Sequence, residues 1–132
     1  MELIQYAPRT ETVHEIPLLL SPPWINKYYI MDLAPGRSFV EWAVDHGHTV
    51  FAISYRNPGA ADRDVRLDDY LLSGPISALD AVREITGAER ANIVGLCLGG
   101  TLTAALLAYL SARGDDRIAS TTLLNTLVDF SR

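Results

Sequence analysis

Residues 95–100 read GLCLGG, and this hexapeptide follows an apolar segment and precedes a helical one. Its Gly-x-Cys-x-Gly spacing is that of a nucleophile elbow, the sharp turn from strand to helix that presents a reactive side chain. Glycines suit this turn because the backbone is strained and neighbouring side chains would collide. The motif therefore predicts a strand that ends near Leu96, a helix that begins near Gly99 and a nucleophile at Cys97.

Cys97 is the only cysteine of the chain, and two interpretations of it are open. At the N-terminus of a helix, the partial positive charge of the backbone favours a thiolate. A small cysteine packed between glycines could equally be structural and need no chemistry. The apolar, partly β-branched segment 92–96 and the Ala- and Leu-rich segment 99–112 match the strand and helix of an elbow, so they favour the nucleophile.

Composition limits the classes of protein to which the chain can belong. It has 132 residues, of which 48% are hydrophobic and 20% charged, as in a soluble domain with its own core. The net charge of −5, without a Lys/Arg cluster, argues against a nucleic-acid partner. Neither a secretory signal nor an apolar segment of about 20 residues, as a membrane span requires, is visible. A single cysteine excludes an internal disulfide and fits a cytoplasmic location.

Strands and helices are expected to alternate along the chain. The predicted strands are 16–21, 49–54, 92–96 and 120–124, and the predicted helices are 38–45, 67–86 and 99–112. Gly74-Pro75 should kink or divide the second helix. In the first helix, Phe39, Trp42 and Ala43 share one face at helical spacing. The alternation predicts a doubly wound parallel sheet of about four strands, with helices on both faces.

This topology divides the polar residues between the two ends of the sheet. Ligands bind beyond the carboxyl ends of parallel strands, where we expect residues 24–29, 55–57, 97–98 and 125–129. His14, His46 and His48 precede strands and should lie at the opposite end, away from Cys97. Asp129 lies at the correct end, but we expect it to be a solvated loop carboxylate. The residues show no Cys/His cluster that would suggest a metal.

Three segments carry a family resemblance. Residues 22–33 (PPWINKYYIMDL) strongly resemble the corresponding stretch of polyhydroxyalkanoate synthases, which polymerise 3-hydroxyacyl-CoA. Residues 47–51 with 54–58 resemble the second strand and turn of that family, and residues 95–101 resemble its cysteine lipase box. The match extends from about Tyr6 to Phe130 and is closest to the single-subunit, poly-3-hydroxybutyrate type. It implies an α/β-hydrolase fold, of which residues 1–132 form a partial catalytic core.

The resemblance also implies an activity and its partners. The family is an acyltransferase with a Cys-Asp-His triad, in which Cys97 takes the place of the nucleophile. The Asp and His are expected beyond Arg132, and a further region is expected ahead of this core, so the segment alone should be inactive. The implied partners are 3-hydroxyacyl-CoA, the growing polyester and a second subunit in a homodimer, at the surface of cytoplasmic polyester granules. No cofactor is expected, because coenzyme A belongs to the substrate. The alternatives are a cysteine-box thioesterase or depolymerase and a non-catalytic granule-associated fragment.

The same fold predicts where an oxyanion would be bound. One donor is the backbone N–H after the nucleophile, which is that of Leu98, and the other comes from the loop after the first predicted strand. We expect the Trp24 N–H to be this second donor, with Ile25 as the alternative. Arg56 and Lys27 also lie at this end of the sheet. For each of them two roles are open: a contact to a CoA phosphate, or an exposed ion pair that is only structural.

Overall fold

The computed structural model describes residues 1–131; Arg132, the last residue of the predicted core, lies outside the described residues. One sheet contains the strands β1 (Glu2–Gln5), β2 (Leu18–Ser21), β3 (Val50–Ser54), β4 (Ala91–Leu96) and β5 (Ile118–Leu124). Their order across the sheet is β1-β3-β2-β4-β5. Strands β2 to β5 pair in parallel, which confirms the predicted parallel sheet and all four predicted strands.

The first strand corrects the prediction of about four strands. β1 pairs antiparallel with β3, with Glu2 opposite Ser54 and Gln5 opposite Phe51. Leu3 packs against the core, while the two ends of the strand are exposed. A strand of four residues is too short to show an alternating pattern, and its partner lies far away in sequence. The sheet therefore has five strands within the described residues, of which one edge strand is antiparallel.

The helices agree with the predicted order. They are α1 (Phe39–Asp45), α2 (Leu67–Leu71), α3 (Ser77–Thr86) and α4 (Leu98–Ala112), with 3-10 turns at Tyr28–Met31 and Ala60–Asp62. A π-helical turn at Leu72–Ile76 separates α2 from α3, and Gly74 has non-helical angles there (φ −99°, ψ −107°). The predicted division at Gly74-Pro75 is confirmed, because proline cannot donate the missing helical hydrogen bond. No helix in the described part of the chain is long and apolar enough to span a bilayer.

Helices cover both faces of the sheet. Leu19 of β2 packs in the cluster formed with α3 and α4, whereas Leu18 and Leu20 pack in the cluster that contains α1. This alternation follows from the two-residue period of a strand. The helix α1 places Phe39 and Trp42 on one face, as predicted, with their ring centroids 6.0 Å apart. Its buried residues are Val40, Ala43 and Val44, whereas Trp42 is 52% exposed and stacks on His46 at the surface.

Candidate active site

Cys97 forms the turn between β4 and α4 in a strained conformation. Its angles are φ 53° and ψ −121°, and Asn125 is the other non-glycine residue with positive φ in residues 1–131. Such a conformation costs about 1–3 kcal/mol and persists only where surrounding contacts enforce it. Here the Cys97 N–H donates to the Leu124 carbonyl at 2.9 Å, and the Cys97 carbonyl accepts from the Gly100 N–H at 2.9 Å. The predicted turn from strand to helix is confirmed.

The two glycines of the motif allow close backbone approach around this turn. A Cβ on Gly99 would collide with the Ser21 carbonyl and lie 2.6 Å from the carbonyl carbon of Pro22. A Cβ on Gly95 would lie 2.6 Å from the Cα of Gly100. These distances are shorter than real Cβ contacts, so neither position accepts a side chain without displacing backbone. The glycine at position 99 thereby brings the loop that follows β2 directly against the start of α4.

The turn after β5 is also attached to the elbow. The Thr101 hydroxyl donates to the Leu127 carbonyl at 2.7 Å, and the side chain of Thr126 lies against Gly100. Asn125, the residue directly before Thr126, is exposed and has φ 47°. This loop lies at the predicted end of the sheet, whereas Asn125 was not among the predicted site residues. Asparagine after a strand is a signal for a left-handed turn residue, and could have identified it.

Both expected oxyanion donors and the alternative donor have free backbone N–H groups within the described residues. Within the described residues, neither the Leu98 N–H nor the Trp24 N–H has a hydrogen-bond acceptor, and the same holds for Ile25. The chain forms a turn directly after Trp24, in which the Asn26 N–H donates to the Pro23 carbonyl at 3.2 Å. Both candidate donors therefore lie on segments that meet at the Gly99 contact, and Ile25 remains an alternative to Trp24.

Histidines and acids take the positions that the element order predicts. The rings of His14 and His48 are 4.7 Å apart, and His14 Nε2 lies 3.1 Å from the His46 carbonyl oxygen. The three residues precede β2 and β3, at the end of the sheet opposite Cys97. Burial, together with the charges of His14 and His46, lowers the pKa of His48. Asp129 follows β5 as an exposed loop carboxylate. No histidine of the described residues is therefore placed to act as a base for Cys97.

The charged residues near the loops after β2 and β3 are paired. Arg56 forms an ion pair with Asp62, although its own side chain is 77% exposed. The Gly59 N–H and Arg56 donate to this carboxylate, and both hydrogen bonds lower the pKa of Asp62. Lys27 Nζ donates to Asn57 Oδ1 at 2.9 Å. Both side chains therefore make contacts with other surface groups, and a contact of either one to a CoA phosphate stays a prediction.

Two family models match the sequence. A model described as the alpha/beta hydrolase fold matches residues 24–131, which is most of the chain. The chain belongs to the α/β-hydrolase family. The predicted fold class is therefore confirmed. The second model, described as the N-terminus of poly-beta-hydroxybutyrate polymerase (PhaC), matches residues 1–43.

Curated relatives of this α/β hydrolase are polymerases by name. It is 48% identical over 130 residues to "Poly(3-hydroxyalkanoate) polymerase subunit PhaC" of Cupriavidus necator, covering 98% of this chain and 22% of the relative. It is 50% identical over 131 residues to "Poly(3-hydroxyalkanoate) polymerase" of Methylorubrum extorquens, covering 99% of this chain and 22% of that one. The predicted resemblance to polyhydroxyalkanoate synthases is confirmed. The chain spans about a fifth of the length of these relatives.

Solved structures support the fold without bearing on the activity. A carboxylesterase structure from the thaumarchaeon Nitrososphaera gargenis superposes with a TM-score of 0.64 at 17% identity, over 96% of this chain and 41% of that one. A fungal esterase from Rhizomucor miehei gives a TM-score of 0.60 at 16% identity, over 90% of this chain and 36% of that one. At such identities the likeness establishes the shared α/β-hydrolase architecture.

Proposed function

We propose that this α/β hydrolase contributes the nucleophile of a poly(3-hydroxyalkanoate) polymerase, an acyltransferase that builds polyester from 3-hydroxyacyl-CoA. The observation that carries the proposal is the strained conformation of Cys97 at the turn between β4 and α4. Strain of this kind is concentrated at functional sites. The names of the relatives support the substrate class, because the match to those polymerases includes the segment around Cys97.

The proposed reaction passes through a thioester on Cys97. The Cys97 thiolate attacks the acyl carbonyl, a new C–S bond forms, the C–S bond to coenzyme A breaks, and coenzyme A leaves and takes up a proton. The hydroxyl of the polyester chain end then attacks the acyl-cysteine and gives up its proton to a base, an ester C–O bond forms, the acyl C–S bond breaks and the Cys97 thiolate is released. Exchange of one thioester for another keeps the acyl group activated for this weak nucleophile, whereas a serine would form an ordinary ester. This is the chemical reason to favour cysteine at this position.

Two backbone N–H groups are proposed to stabilise the tetrahedral intermediates. The Leu98 N–H is the donor that follows the nucleophile, and the Trp24 N–H is the donor from the loop after β2. The absence of an acceptor for either group within the described residues supports this role. Each such donor contributes about 3 to 4 kcal/mol of transition-state stabilisation in acyl transfer. Ile25 is the alternative second donor.

The proton transfers require groups that residues 1–131 do not bring to Cys97. All three histidines lie at the far end of the sheet, so we propose that this segment alone does not complete the reaction. In the complete enzyme we propose a triad whose Asp and His come from polypeptide outside this segment. We further propose that the complete enzyme is of the single-subunit type, forms a homodimer and acts at the surface of cytoplasmic granules. It needs no cofactor beyond the coenzyme A of the substrate.

A graft into a relative tests the proposal in a complete enzyme. The matching 130 residues of the Cupriavidus necator polymerase are replaced by this sequence, and release of coenzyme A and polymer from 3-hydroxybutyryl-CoA are measured. We expect both in the graft and neither in its Cys97→Ala variant. Free 3-hydroxybutyrate without polymer would indicate a thioesterase or depolymerase instead. A folded graft that releases no coenzyme A would contradict catalysis and favour a non-catalytic role.

A further inference from the structure

The loop after β2 is supported by a stack of three aromatic rings. The indole of Trp24 stacks on the ring of Tyr70 with centroids 5.0 Å apart and 27° between the planes. Tyr70, on α2, meets Tyr55 edge to face at 5.8 Å and 63°. Tyr55 directly follows β3 and is 9% exposed. The rings therefore connect the ends of β2 and β3 through a residue of α2.

Tyr55 is the fixed end of this stack. It packs in the same buried cluster as Leu71 and Leu79, and a Cβ on Gly74 would lie 2.6 Å from its hydroxyl oxygen. The π-helical turn between α2 and α3 thus places Gly74 next to the Tyr55 ring, where a larger residue would collide with it. The Tyr55 hydroxyl has no hydrogen-bond partner in the part of the chain that the structure describes. Its contribution to the stack is therefore the packing of the ring.

The backbone of the loop is held on its other side by the elbow. Pro22 and Pro23 restrict the chain that leaves β2, and the carbonyl group of Pro22 lies against Gly99. Beyond this contact, the Trp24 N–H makes no hydrogen bond within residues 1–131. Trp24 also packs against the buried cluster that contains Tyr55, and its face-to-face aromatic contact is the stack on Tyr70. This stack can orient the indole, and with it the Trp24 backbone, relative to the start of α4.

We propose that Tyr70 is a positioning residue for the oxyanion hole: its ring holds the Trp24 indole and thereby orients the Trp24 N–H. This inference rests on the proposed function, since it assumes acyl transfer at Cys97. Tyr70 does not contact the reacting atoms and acts through Trp24. A misoriented donor weakens binding of the charge that develops in the transition state and leaves substrate binding unaffected. Loss of the Tyr70 ring therefore lowers kcat and leaves KM unchanged.

The kinetic test uses the graft in the Cupriavidus necator polymerase with three variants. Tyr70→Leu removes the ring, Tyr70→Phe keeps it, and Tyr109→Leu is the matched control. Tyr109 is also half-buried and packs against the same cluster, but it lies near the end of α4 under the guanidinium of Arg113. We expect Tyr70→Leu to lower kcat about 10- to 100-fold with KM unchanged, since small misplacements have effects of this order. We expect Tyr70→Phe and Tyr109→Leu to retain kcat.

A spectroscopic test on the 132-residue chain does not depend on activity. Trp42→Phe leaves Trp24 as the single tryptophan, so its near-UV circular dichroism and emission report the stack. We expect Tyr70→Leu to change the Trp24 signals and Tyr70→Phe to preserve them. Unchanged signals in Tyr70→Leu would overturn the inference, because the indole would then be held by something else.

The outcomes separate this inference from the proposed function. Full kcat in Tyr70→Leu, with no coenzyme A release in Cys97→Ala, would overturn the positioning role and leave the polymerase proposal intact. Equal losses of kcat in Tyr70→Leu and Tyr109→Leu would show a general loss of stability, and an increase confined to KM would show a substrate contact. Either result overturns the positioning role. Coenzyme A release that survives Cys97→Ala would overturn the proposed function itself.

Discussion

The N–H of Cys97 donates a hydrogen bond to the carbonyl oxygen of Leu124 at 2.9 Å. This bond joins Cys97, whose φ is positive, to the last residue of the neighbouring strand. The register of β4 and β5 places these two residues side by side, because Leu96, the residue before Cys97, is paired with Leu124. The sheet therefore supports the strained turn, and substitutions that disturb its backbone packing should be costly.

Gly99→Ala should destabilise the chain by about 1–3 kcal/mol, as overpacking typically does. The added Cβ would meet the carbonyl groups of Ser21 and Pro22, which are backbone atoms and cannot rotate away. The measurement is the free energy of unfolding in urea. Gly59→Ala is the matched control, because a Cβ there has ordinary contacts and should change stability by less than about 0.5 kcal/mol. Equal effects of the two substitutions would contradict the close packing at Gly99.

The buried hydroxyl of Tyr55 leads to a different prediction. It has no hydrogen-bond partner among residues 1–131, so Tyr55→Phe removes an unsatisfied polar group and keeps the ring. We expect a free energy of unfolding that is unchanged or slightly higher. Tyr55→Ala should lower it by about 3–5 kcal/mol, because the whole ring is lost from the core. A marked loss of stability in Tyr55→Phe would show that the hydroxyl is hydrogen-bonded after all.

How far the sequence predicts this structure depends on how local each signal is. The elbow at Cys97 was predicted because the glycines that it needs lie within two residues of it. β1 was missed because its pairing with β3 is distant in sequence. Helical spacing identified a face containing Phe39 and Trp42, but spacing alone does not show which face meets the sheet, and Val40 and Val44 are buried instead.

The candidate site shows the same limit. The sequence order correctly separated the histidines from Cys97, because parallel strands place all their carboxyl ends at one edge. The stack of Trp24, Tyr70 and Tyr55 had no signal of its own, because it joins three segments that meet only in the folded chain. Arg56 illustrates a further case, since spacing alone did not identify its ion-pair partner Asp62, although the two residues are close in sequence.

His48 predicts a pH dependence of stability. Its pKa is lowered in the folded chain, chiefly by burial and further by the charges of His14 and His46. The unfolded chain therefore binds this proton more readily, so the contribution of neutral His48 is complete above the unfolded pKa of about 6.5. It is lost as the pH falls below this value and through the lower pKa of the folded chain. We expect the free energy of unfolding to fall below about pH 6.5 and to fall less steeply in His48→Gln. An NMR titration giving His48 an ordinary or raised pKa would contradict this.

Exposed apolar residues at the β5 edge predict self-association of the isolated chain. β5 has one sheet neighbour among the described residues, and Leu127, Val128 and Phe130 beyond it are exposed. Free strand edges with apolar surroundings favour association. Light scattering should show concentration-dependent growth that Val128→Lys with Phe130→Glu reduces. Val65→Lys, at an exposed valine elsewhere, should have no such effect. A stable monomer at all concentrations would contradict the prediction.

The central claim is that Cys97 carries the acyl group. The most direct measurement is acid quenching of the graft during turnover of 3-hydroxybutyryl-CoA, followed by peptide mass spectrometry. We predict one or more 3-hydroxybutyryl units on the peptide that contains Cys97, removable by hydroxylamine as expected of a thioester, and none in Cys97→Ala. Release of coenzyme A during turnover with Cys97 unmodified, or with the acyl group on another residue, would contradict the account.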